Sequence, residues 1–172
     1  MSHDIPQSVS QGVNGAQDQE NRRIAEIADE LCRLCRLYEA QSGTVETNVT
    51  PLEVEQRQAE KMAKAGGYWI PMSQVFDLGV PGPSGNENDT YVSDEAVFKV
   101  NNLLNSGSIV AQLRKVVMHN ILFPDTAYRF HGFTGFDSRL VQPIFRQVRV
   151  EHASPATQVM ITTVFAKYCV SN

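Results

Sequence analysis

With 172 residues, 42% of them hydrophobic, the chain is long enough to bury one core and too short for two ordinary domains. A net charge of -4 lacks the basic excess of a general nucleic-acid surface, so no nucleic-acid partner is expected. No run of about 18 apolar residues occurs, and the amino terminus has no basic region followed by an apolar one, which argues against a membrane partner.

Residues 1–17 are rich in Ser, Gln, Asn and Gly with little apolar mass, the composition of a flexible arm. A helical extension is predicted over residues 18–66. In its first part, residues 19–40, Ile24, Ile27, Ala28, Leu31, Leu34, Cys35 and Tyr38 recur at helical spacing. That stripe must pack on something, and its own core, a second copy of the chain and a separate lobe are the candidates. Cys32-x-x-Cys35 lies in the same helix without the second Cys/His pair a zinc site needs, so no metal is expected. An odd set of three cysteines suits a reducing compartment, and the chain is expected to be cytoplasmic. After a polar linker, Thr50-Pro-Leu-Glu53 reads as a capping box with proline at the first helical position, and Gly66-Gly67 as the stop.

A sheet follows. Tyr68-Trp-Ile-Pro-Met72 is expected to clamp its start, and residues 75–78 to form its first strand. Gly79-Val-Pro-Gly-Pro-Ser-Gly85 then feeds a hairpin of residues 90–93 and 96–100 across Asp94-Glu95. Strand alternation puts Val97, Lys99 and Asn101 on one face and Phe98 and Val100 on the other. A third helix is capped by Ser108 and ends at Phe123-Pro124, with Ile109, Leu113, Val116, Val117 and Asn120 on one face. His119 and Asn120 fit either a ligand site or polar pins for that turn. Two more strands, residues 127–130 and 140–150, are separated by a turn over residues 132–138, and Ser154-Pro opens a terminal helix over residues 154–172.

Lys99 stands mid-strand after the glycine-rich run and before a helix. Half-buried strand lysines commonly snorkel to solvent, while a lysine in this setting also fits the holding of nucleotide phosphates. The ordered series Tyr68-Trp-Ile-Pro71, Gly85-Asn-Glu-Asn-Asp-Thr-Tyr91, Val97-Phe-Lys-Val-Asn-Asn102, His119-Asn-Ile-Leu-Phe-Pro124, Tyr128-Arg-Phe-His-Gly-Phe133 and Gln142-Pro resembles the serine/threonine/tyrosine-kinase-like domain of polyvalent proteins from phages and conjugative elements. The resemblance covers about residues 66–157. It implies an α+β, protein-kinase-like small lobe over residues 67–153: about five antiparallel strands with one packed helix, to which the amino-terminal helices are added.

The resemblance also implies a nucleotide site. Lys99 and the turn Gly82, Gly85 and Asn86 would take the phosphates of ATP, and the backbone of Val148 and Val150 would form a hinge for the adenine edge. By resemblance this helix occupies the place of the protein-kinase-type helix that carries a glutamate partner for the strand lysine, but the stretch between Ile109 and Leu122 contains no acid, and Gln112 and His119 are its polar candidates. Glu87 is expected to organise backbone. Residues 151–172 hold no Asp and a single Asn, so no catalytic loop fits there and no catalytic residue is assigned. Two functions follow: a nucleotide-binding kinase-like fragment, inactive without a separately encoded catalytic lobe, or an interaction module that uses the scaffold without nucleotide. A homodimer through the stripe of the first helix is the other expected partner.

Overall fold

In the computed structural model, which describes residues 7–41, 49–136 and 139–150, helix α1 spans Gln7–Gln41. Residues 7–17, expected as a flexible arm, are therefore helical, and residues 1–6 lie outside the described residues. Helix α2, Pro51–Gly66, begins and ends as its sequence dictates. The Thr50 side chain accepts from the Glu53 N–H, and the Glu53 carboxylate accepts from the Thr50 N–H at 2.7 Å. Gly67, at φ 73°, closes the helix in the left-handed conformation and donates to the carbonyls of Ala63 and Lys64.

The stretch 75–78, expected as a strand, is helical: α3 covers Met72–Val75 and a 3-10 turn covers Phe76–Leu78. The deciding signal is a spacing of three. Met72, Val75 and Leu78 face the core together while Phe76 is 63% exposed, a pattern a strand would reverse. The first strand is instead β1, Val80–Pro81, inside the glycine-rich run. It pairs with β2 (Asn88–Val92), which forms the expected hairpin with β3 (Ala96–Asn101). Helix α4, Ile109–Leu122, follows with Ser108 as its cap, and β4 (Tyr128–Phe136) and β5 (Arg139–Val148) complete the sheet.

All pairs are antiparallel, in the order β1-β2-β3-β5-β4. The turn expected over residues 132–138 is largely strand, because the outer edge of β4 is covered. Ile70 N–H donates to the Phe133 carbonyl at 2.8 Å and Phe133 N–H to the Tyr68 carbonyl at 3.0 Å. Gly132 serves this approach rather than a turn: a Cβ there would stand 2.5 Å from the Tyr68 carbonyl oxygen.

The sheet is buried on both faces. On one, Phe130 and Phe145 pack with Ile24, Ala28 and Leu31 of α1, Ala59 and Ala63 of α2, and Ile109, Leu113 and Val116 of α4. On the other, Val100 and Ile144 pack with Val75, Ile70, Met72 and Leu78. Ile24, Ile27, Ala28, Leu31 and Cys35 of the α1 stripe thus pack within their own chain. Among the described residues no helix is long and apolar enough to cross a membrane. The helix expected over residues 154–172 lies outside the described residues.

Candidate functional site

Alternation along β3 and its neighbours assigns each side chain a face. Thr90, Lys99 and Phe145 stand in register across β2, β3 and β5, so Lys99 rises from the face that carries α4. Its amine donates to the Tyr128 hydroxyl at 2.9 Å and lies 4.8 Å from the centroid of the same ring. Tyr128 is itself held between Phe145 and His119, with centroids at 6.1 and 4.7 Å. Among the described residues no carboxylate forms an ion pair with Lys99.

Across from the lysine, α4 presents Gln112, Lys115, Val116 and His119. Together with Glu87, Asn88 and Tyr128 they enclose a cavity of about 100 Å³. This is well short of the roughly 300–1,000 Å³ of a site that encloses a drug-sized ligand, and it suits a phosphate group. The acid expected to be missing from α4 is missing, and the polarity is reversed: the helix offers Lys115 and the loop offers Glu87. The Lys115 amine stands 3.4 Å from both oxygens of Glu87, whose carboxylate also accepts from the Asn105 amide. The Asn105 contact, and then the Lys115 charge, hold the Glu87 carboxyl below its ordinary value. An ion pair this exposed contributes about 0–1 kcal/mol. The Glu87 main-chain carbonyl meanwhile accepts from the Asn102 N–H at 2.9 Å, while its carboxylate meets only side chains, those of Asn105 and Lys115.

The glycine-rich turn joins β1 to β2 and is tied down from below. Gly82 N–H donates to the Thr90 carbonyl at 2.9 Å, and the Thr90 hydroxyl donates to the Pro83 carbonyl at 2.8 Å. Gly85 and Asn86 are exposed at its tip, where the Gly85 N–H reaches the Asn88 carbonyl and the Asn86 carbonyl accepts from the Asn102 side chain. Val148 ends β5 opposite Ala96, three residues along β3 from Lys99, or about 10 Å at the rise of a strand. Val148 and Val150 are each 60% exposed. The turn, the lysine and the end of β5 therefore follow one another along the same strands, with half-buried Val92 and Val97 on the lysine's face between lysine and strand end.

Asn120 is a pin. Its amide donates to Asn21 at 2.9 Å and to the Tyr128 carbonyl at 2.8 Å, and its oxygen accepts from the Tyr128 N–H. His119 lines the cavity, and its Nε2 meets the Thr126 carbonyl at 3.3 Å. Tyr128 had no local signal, since its partnership with Lys99 spans 29 residues. Lys115 was legible only as a charge on a helix that lacks acids. Away from this site, Cys32 and Cys35 are free, and burial, followed by the nearby Glu55, pushes the Cys35 thiol up to about 11, which keeps it protonated.

A five-stranded antiparallel sheet with a glycine-rich turn between its first two strands, a lysine on the third and a helix between the third and fourth has the architecture of a protein-kinase-like small lobe. The family model described as the serine/threonine/tyrosine kinase found in polyvalent proteins matches residues 53–170, and the chain belongs to that family. The match takes in most of α2, ahead of the motifs legible in the sequence. No curated protein and no solved structure matches the chain.

Proposed function

We propose that this chain binds a nucleotide such as ATP on the Lys99 face, with the phosphates under the turn of Gly82, Gly85 and Asn86 and the base beside Val148 and Val150. One observation carries the proposal: Lys99 is a half-buried cation on a strand beside a phosphate-sized cavity, held by a phenol and an aromatic face instead of a carboxylate. A lysine kept for structure would ordinarily be paired or would reach solvent. The spacing along β3 supports the same order of parts, since about 10 Å separates the lysine from the end of β5. Val92 and Val97 would give the base its apolar platform.

The proposal concerns binding. Transfer needs a base and metal-holding side chains opposite the phosphates, and among the described residues no aspartate lines the cavity. With few and partly solvated contacts, ATP·Mg should bind with a Kd on the order of 0.1–1 mM, equivalent to about 4–5.5 kcal/mol. Titration by calorimetry or by NMR tests this, and Lys99→Met should abolish the binding while preserving the length of the side chain. Equal binding by the variant would remove Lys99 from the site. Binding by neither protein would favour the interaction-module function, which the absence of an acid from α4 also fits.

A further inference from the structure

The cavity beside Lys99 is lined by two lysines and a single carboxylate, Glu87. Gln112 is only 6% exposed and borders the cavity. Lys115, one turn further along α4, lines the same cavity, and its charge is met by Glu87 at 3.4 Å, a distance longer than a good charge-assisted hydrogen bond. Lys99 completes the set from the sheet. Two ammonium groups and the Gln112 side chain border a space of about 100 Å³ whose one acid already accepts from Asn105.

We infer that Gln112 and Lys115 of α4 join Lys99 in a phosphate subsite, and that Glu87 is its resident counterion, which an incoming phosphate group displaces from Lys115. The inference rests on the nucleotide-binding proposal above and adds to it the residues that hold the anion and the one that competes with it. The anion is multiply charged, so it satisfies both lysines at once and accepts from the Gln112 amide, whereas a single carboxylate on the loop reaches only Lys115. Glu87 released from Lys115 keeps its contact with Asn105, and that contact retains the fold of the turn.

The test compares the wild type with Glu87→Gln, Lys115→Met and Lys99→Met, using inorganic pyrophosphate and ATP·Mg as probes in calorimetric or NMR titrations. Glu87→Gln keeps an acceptor for Asn105 and should tighten both probes about five-fold, while Lys115→Met should weaken both about five-fold, the scale expected for one partly exposed charge contact. Each variant is first checked for an unchanged amide NMR spectrum away from the cavity. If Lys99→Met loses ATP while Glu87→Gln and Lys115→Met bind as the wild type does, the subsite is overturned and the nucleotide proposal stands. If pyrophosphate follows the expected pattern and ATP does not bind, the subsite stands and the nucleotide proposal falls. Binding of neither probe to wild type or Glu87→Gln overturns both.

Discussion

His131 occupies the register shift in β4 between Phe130 and Gly132, and its ring stands edge-on to Phe98 at 4.8 Å. Burial, reinforced by the charges of Arg146 and Arg23, lowers its pKa from the ordinary 6.5. In the unfolded chain the imidazole takes up its proton near that ordinary value; in the folded chain it resists. Between the two values the unfolded state binds more protons, so the contribution of His131 to stability is complete above 6.5 and is lost as pH falls through the folded value. Urea unfolding of the wild type should therefore weaken between about pH 7.5 and about pH 5.5 more steeply than that of His131→Gln. Parallel slopes for the two proteins would show that the imidazole is not responsible. Residue-scale detail of this kind was not legible in the sequence. His131 lies in a stretch expected to end a strand, and the aromatic partner that buries it comes from another strand.

The amino end of α4 is completed from another helix. Glu55 of α2, 8% exposed, accepts from the N–H groups of Ile109 at 2.9 Å and Val110 at 3.1 Å, and Ser108 takes that of Ala111 at 3.1 Å. Three of the four N–H groups that a helix leaves unpaired at its start are thereby satisfied, two of them by a carboxylate placed where the helix dipole favours it. Glu55→Ala should cost roughly 1.5–3 kcal/mol in chemical denaturation, more than the roughly 1 kcal/mol of Ser108→Ala. A smaller loss for Glu55→Ala than for Ser108→Ala would show that the cross-helix cap contributes little. Local caps were readable because their residues are neighbours: Thr50 with Glu53, and Ser108 before an apolar run. The Glu55 cap was not, because its partners lie 54 and 55 residues away. Two elements were misread for related reasons. The stretch 75–78 is too short for alternation to be told from helical spacing, and the glycines of β4, taken as turn signals, serve a strand whose outer edge receives residues 68–70.

At the scale of the molecule, the sheet, the packed helix and the position of Lys99 followed from alternation, caps and glycine placement, while the relation of α1 to the sheet did not. Periodicity showed that α1 has an apolar stripe but not what covers it. The structure places Ile24, Ala28 and Leu31 against Leu113 and Phe130 in one core, and it adds two further ties: Glu20 accepts from the Phe130 N–H at 2.8 Å, and Asn21 from the Asn120 amide at 2.9 Å. If α1 is part of the small lobe's cooperative unit rather than an appendage, Ile24→Ala and Leu31→Ala should each destabilise the whole domain by about 2–5 kcal/mol, the range for fully buried aliphatic truncations. The single tryptophan provides the check. Trp69 bridges the edge of β4, so its fluorescence reports on the sheet, whereas far-ultraviolet circular dichroism is dominated by helices, of which α1 with 35 residues is the longest described. In urea the two signals should trace one transition in the wild type and move together to lower midpoints in both variants. A helical signal lost before the tryptophan signal, with the latter unmoved by Leu31→Ala, would mean that the sheet folds without α1, and the kinase-like lobe would then begin at α2, near where the family match starts.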